Sequence, residues 1–137
     1  MKELVSVRVR GVQRCGGGEE VTELACEGVF RKTADGWLLA YDEPSAEGSV
    51  KALLRFSDGR VTLTRRGAVR SEMIFAAGEC HRVSYALSAG GLTMEVNTDS
   101  LCASLDGARG TLELRYRLIL HGKTMSENRL TVDLLPR

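Results

Sequence analysis

Arg65 follows Val61 and Leu63 at a spacing of two. A β-strand carried through these residues turns all three side chains to one face, so the guanidinium points into an apolar interior, where an unpaired charge is expensive. Such an arginine needs a carboxylate or a bound anion. An internal ion pair with Glu43 or Glu72 meets that need, and so does a strand end at which Arg65 has already reached solvent. An anion held in a cavity meets it differently, because guanidinium recognises carboxylate and phosphate through a fork of hydrogen bonds. Tyr41, Tyr85 and Tyr116 share the parity of apolar neighbours on their own strands. With Arg65 and Glu43 they make a candidate set of polar groups that would orient a ligand in an apolar cavity. The same tyrosines also read as core residues whose hydroxyls find a nearby partner.

Other reactive residue types form no such set. His81 has the inward parity of Val83 and Tyr85, yet no serine or cysteine nucleophile is fixed beside it by spacing, and His121 closes a strand. Glu43, Glu72, His81 and Arg65 are only a loose collection of titratable groups, so no catalytic residue is assigned and the reading leans away from an enzyme. Cys15, Cys26, Cys80 and Cys102 are scattered, without the CxxC or Cys/His spacing of a zinc site. No metal or cofactor is expected. Cys26 and Cys102 read as small core residues, and Cys15, next to Gly16, Gly17 and Gly18, as exposed in a turn. The glycine run lacks the Lys-Ser/Thr and the following helix of a phosphate loop.

The elements that must position these residues are strands. Val5, Val7 and Val9 alternate with Ser6, Arg8 and Arg10, and Leu112, Leu114, Tyr116, Leu118 and Leu120 alternate with Glu113, Arg115 and Arg117. That period of two builds a sheet with one dry and one wet face. Turn signals recur: Asp35-Gly36, Asp58-Gly59 and Gly90-Gly91 separate strand pairs. The first strand is expected over about 3–12 and the second over about 20–33, with Gly28 as the place for a bulge or kink. The third, carrying Trp37, Leu39 and Tyr41, is expected to stop before Pro44. Residues 99–108 suit either a short strand or a helical turn. No stretch has a sustained helical period, which predicts an all-β single domain, residues 1–137, of roughly eight to ten antiparallel strands. Closure into a barrel removes the free edges that so many strands would otherwise expose.

Composition narrows the partners. The chain has 137 residues, 43% of them hydrophobic, and 19 basic against 18 acidic residues give a net charge of +1. Non-specific phosphate-backbone binding draws on a larger positive excess, and the basic stretch from Arg65 to Arg70 has no aromatic platform, so no nucleic-acid partner is expected. No apolar run is long enough for a signal peptide or a membrane span, which predicts a soluble, cytoplasmic protein without a membrane partner.

Arg65-Arg66-Gly67-Ala68-Val69, followed by Phe75 and Gly78, resembles the signature of the YwiB-like family, a bacterial domain of unknown function with a calycin-like (lipocalin-like) barrel. Tyr85, Gly90, Leu92 and Thr98, then Leu105, Asp106, Gly110 and Tyr116, fall at a similar spacing, as do Gly28, Tyr41, Glu43 and Gly48 upstream. The likeness spans about residues 3–134 and implies a closed or nearly closed antiparallel barrel. Arg66 departs from the small polar residue expected there and adds a positive charge beside the signature. The family brings no established activity, so the likeness bears on fold more than on function.

Two functions follow as expectations. One is binding of a small amphipathic or anionic molecule inside the barrel, with Arg65, Tyr41, Tyr85, Tyr116 and Glu43 as ligand contacts. The other is a protein interaction module, a homodimer or a partner-binding barrel with a packed interior, in which Met73, Ile119 and Leu53 matter because Ile119 and Leu53 stand on the nominally wet parity.

Overall fold

Ten strands, joined almost throughout by short turns, account for nearly the whole chain: β1 (Lys2–Cys15), β2 (Gly18–Lys32), β3 (Gly36–Ser45), β4 (Gly48–Ser57), β5 (Arg60–Gly67), β6 (Ser71–Ala76), β7 (Cys80–Leu87), β8 (Gly90–Asp106), β9 (Arg109–Leu120) and β10 (Lys123–Pro136). The computed structural model describes residues 2–45, 48–87 and 90–137, with the side chains at 45, 85–87 and 90 outside the description. No helix of the described residues is long and apolar enough to cross a membrane. All ladders are antiparallel, and the strand order is β6-β5-β4-β3-β2-β1-β10-β9-β8-β7. Pairing of β1 with β10 joins the two ends of the chain and wraps the meander into a nearly closed barrel. The seam lies between β6 and β7. There the Gly78 N–H donates to the Thr98 carbonyl at 2.9 Å, and the Thr98 N–H donates to the Glu79 carbonyl at 3.1 Å.

Alternation places the aliphatic residues inside, as the sequence predicts. Leu39, Leu54, Val61, Phe75, Val96 and Leu114 are fully buried, and Trp37 is stacked on Phe56 with ring centroids 5.7 Å apart. Burial on this scale is the main favourable term, of order 25 cal/mol for each Å² of apolar surface removed from water.

Three details differ from expectation. β3 runs through Pro44 to Ser45. Proline lacks an N–H, but β3 has no β2 neighbour beyond Tyr41, so nothing on that side asks for one. Residues 99–106 take the strand alternative as a continuation of β8, but a register shift between Thr98 and Ser100 reverses the parity after it. Leu101, Ala103 and Leu105 consequently pack against the core while Cys102 is exposed, the opposite of the buried position expected for it. Met73 is a core residue, 2% exposed, and not part of an outer patch.

Gly28 is not a bulge, since the β1–β2 register is continuous through it. It is a point of close approach: a Cβ there would lie 2.7 Å from Val7 Cγ2 and 2.9 Å from the Ala40 carbonyl oxygen. β3 pairs with β2 only from Gly28 to Lys32, and the Gly18–Glu27 stretch of β2 leaves the wall while staying paired with β1. The barrel wall is therefore open on one side.

Candidate functional site

The opening between β2 and β3 leads to a cleft of about 410 Å³. Val9, Leu24, Val50, Val69 and Leu130 supply apolar walls, and Thr22, Glu43 and Arg65 supply polar groups. A smaller hollow of about 160 Å³ adjoins it and shares Gly11, Thr22, Arg65 and Leu130, with Tyr116 and Asn128 beyond. Arg65 thus lines both spaces.

Local sequence explains this placement. β5 holds Val61, Leu63 and Arg65 on its inner face, and Gly67 ends it with φ +120. A Cβ at Gly67 would press on the Ser49 carbonyl oxygen at 2.5 Å, so glycine both permits the backbone turn and lets β4 approach. The Ala68 N–H then donates to the same Ser49 carbonyl at 3.2 Å, and the chain carries Val69 to the cleft wall. The Arg65-to-Val69 block thereby builds one side of the cleft.

Arg65 finds its carboxylate. Its Nε donates to Glu43 Oε1 at 2.5 Å, with the two side chains 23% and 20% exposed, and its guanidinium reaches Met73 Sδ at 4.0 Å. Glu72, the alternative partner, stands on the outer face opposite Thr64 and is exposed. Tyr41 lies two residues before Glu43 on the same inner face and is 5% exposed. Burial, and then the Glu43 charge, push its hydroxyl pKa far above the usual tyrosine value, against a smaller opposing pull from Arg65. Cys26, half-buried across from Val7, has its thiol raised by burial and by Asp42 and Glu43. Such a thiol holds its proton and is a poor nucleophile.

Tyr116 is half-buried and packs on Phe75 with ring centroids 4.8 Å apart. It lines the smaller hollow, which Arg65 shares, while Arg65, Glu43 and Tyr41 lie together on the cleft side. Tyr85 is on β7, but its side chain lies outside the described residues. His81 is half-buried, and its Nε2 is 2.8 Å from Glu79 Oε1. That contact, with help from Arg60, holds the Glu79 carboxyl below its ordinary value. This pair sits at the seam, away from the cleft. Among the described residues no group of three His, Cys, Asp or Glu side chains could hold a metal ion, and all four cysteines are free.

The interior around Arg65 carries further polar groups. Ser71 stands directly opposite Arg65 and Thr98 directly opposite Tyr116, and the hydroxyls of both are buried without a hydrogen-bond partner. Ser126 is buried and accepts from Asn128 Nδ2 at 3.0 Å. Sequence reasoning did not single out Ser71, Thr98 and Asn128 as interior polar groups, or the exposed Thr22 at the cleft mouth, although polar residues continuing an inward parity were a readable signal. It also missed Val9, Leu24, Val69 and Leu130 as walls, because the β2–β3 opening sets their role.

A meander of ten antiparallel strands, closed by its first and last strand and open along one wall, defines a β-barrel protein with an accessible interior. The chain belongs to a family described as a domain of unknown function, DUF1934, whose model matches residues 7–132. It is 29% identical over 112 residues to the uncharacterized beta-barrel protein YwiB of Bacillus subtilis (strain 168), covering 82% of this chain and 79% of that protein. The crystal structure of the ywiB protein from Bacillus subtilis superposes with a TM-score of 0.91 at 25% identity, covering 99% of this chain and 93% of that one.

Proposed function

We propose that this barrel binds a small amphipathic molecule in the cleft between β2 and β3. The observation that carries the reading is that β2 pairs with β3 only from Gly28 onward, the preceding stretch standing away from it, which opens the wall where the interior changes from aliphatic to polar. An apolar body would lie against Val9, Leu24, Val50, Val69 and Leu130. Its polar end would meet Arg65 and Glu43, which together present donors and an acceptor with their charges balanced. That balance favours a neutral or zwitterionic polar group over a bare anion, because a second anion at Arg65 would compete with Glu43. The unpartnered hydroxyls of Ser71 and Thr98 lie on the same polar side of the interior and add support.

Fluorescence titration with N-phenyl-1-naphthylamine, a neutral amphipathic probe, tests the reading alongside native mass spectrometry of gently purified protein. Val69→Trp fills the cleft from a half-buried position outside the strands and is expected to abolish probe binding while the melting temperature holds. Unchanged probe binding in that variant would exclude the cleft.

A further inference from the structure

On the outer face, where β1, β10 and β9 run side by side, a concavity of about 530 Å³ is lined by Arg10, Arg14, Arg115 and Arg129 together with Glu19, Asp99 and Glu127, and it borders the smaller hollow at Arg129. Its centre is one cross-strand row. Val21, Val12, Arg129, Arg115 and Ser100 stand directly opposite one another from β2 to β8. Two guanidinium groups directly opposite repel, and an acid beside them would relieve that repulsion. Lys51 and Arg66 are also opposed, and there Asp42 stands directly across from Lys51. Arg129 and Arg115 are instead flanked by an apolar residue and a serine.

Three of the carboxylates nearby are engaged with other arginines. Glu19 pairs with Arg14 at 3.1 Å, Glu23 with Arg10 at 3.7 Å and Asp99 with Arg117 at 3.1 Å. Glu127 stands opposite Arg14 on one side and Arg117 on the other. Glu113 reaches Arg115 from two residues away on the same strand, at 3.5 Å. Arg129 has no ion-pair partner among the described residues, and it is exposed.

We propose that Arg129 and Arg115 form a binding site for a phosphate monoester whose apolar part lies along Val12 and Val21. A carboxylate carries one charge and answers one guanidinium. A phosphate monoester carries about −1.5 to −2 at pH 7 with three acceptor oxygens, enough to bridge both. Val21, 42% exposed, and Val12 continue the row on the β2 side and give an apolar body something to lie on.

Phenyl phosphate is the probe, titrated calorimetrically at constant ionic strength against sodium sulfate. Saturable binding of phenyl phosphate, weaker binding of sulfate, and a loss of about 10-fold or more in affinity for both Arg129→Gln and Arg115→Gln are expected, since a charge-assisted hydrogen bond is worth that much. Arg55→Gln, on the far side of the barrel, keeps the wild-type affinity. These are exposed positions, so circular dichroism of each variant should match the wild type. Equal binding of sulfate and phenyl phosphate, or wild-type affinity in Arg129→Gln, would overturn the proposal. Val69→Trp separates this site from the interior cleft: it leaves phenyl phosphate binding unchanged if the arginine row is the site, and its loss in that variant moves the ligand to the cleft and ends the proposal.

Discussion

One half of the barrel interior is a filled core and the other is an opened, polar chamber, although the same strands build both. β5 illustrates the difference along its own length, for Val61 and Leu63 are sealed among aliphatic neighbours and Arg65, two residues on, faces the cleft. In the packed half the strands stay close, through ladders or across the β6–β7 seam, and the side chains fill the space between them. In the open half β2 has left β3, and the space is bounded by Gly11, Thr22 and an ion pair. Stability is concentrated in the first region, and the second is free to accept a ligand because little of the core depends on it.

Substitutions that separate the halves test this division most strongly. Leu114→Ala, at a fully buried position, is expected to cost about 2–5 kcal/mol of unfolding free energy, while Leu130→Ala at the half-buried cleft wall costs less than about 1.5 kcal/mol. Equal losses in urea denaturation would erase the distinction. Arg65→Met comes next. It strands Glu43, which is only 20% exposed, and should destabilise by about 2–3 kcal/mol, with much of the loss recovered in the Arg65→Met/Glu43→Gln double variant. A double variant no more stable than the single one would mean that Arg65 acts through packing alone.

Tyr41 gives a pH-dependent version of the comparison. Its hydroxyl pKa is raised in the folded state, so the folded protein holds a proton that the unfolded chain releases near pH 10. The contribution is present below that pH and is lost as pH rises above it. Chemical denaturation between pH 9 and 11 should therefore show a fall in wild-type stability that is shallower in Tyr41→Phe; parallel curves would place the alkaline loss elsewhere.

Thr98→Val carries the opposite sign. Replacing a buried hydroxyl without a partner by a methyl of similar shape is expected to be neutral or to stabilise by up to about 1 kcal/mol, read as a rise in thermal midpoint. Clear destabilisation would show that the hydroxyl is satisfied in solution. The smallest effect belongs to the exposed seam. Glu79, its pKa lowered chiefly by the His81 contact, contributes above its unfolded value near 4.5 and ceases to as pH falls through its folded value. Glu79→Gln should flatten stability slightly between pH 5 and 3, and an unchanged slope there would remove that role.

Much of the architecture was legible from alternation. Val5, Val7, Leu112 and Leu114 point inward as their parity requires, and the Asp58-Gly59 turn joins β4 to β5 where expected. Arg65 was legible as an inward charge, and Glu43 as one of two possible partners. Cys102 and Met73 show where local pattern runs out. A one-residue shift near Asp99 reverses parity downstream without any change in the alternation itself. Met73 shares its parity with Ser71 and Phe75, and being enclosed by the barrel settles its burial.

The sequence by itself determined the strands, their two faces and most of their turns, because a period of two and the φ preferences of glycine are properties of neighbouring residues. Only the tertiary structure decided that Glu43 rather than Glu72 meets Arg65, that β2 joins β3 only from Gly28 onward, and that Arg129 and Arg115 stand side by side. Each depends on how strands distant in sequence are registered against one another, and register is set by packing the whole barrel at once.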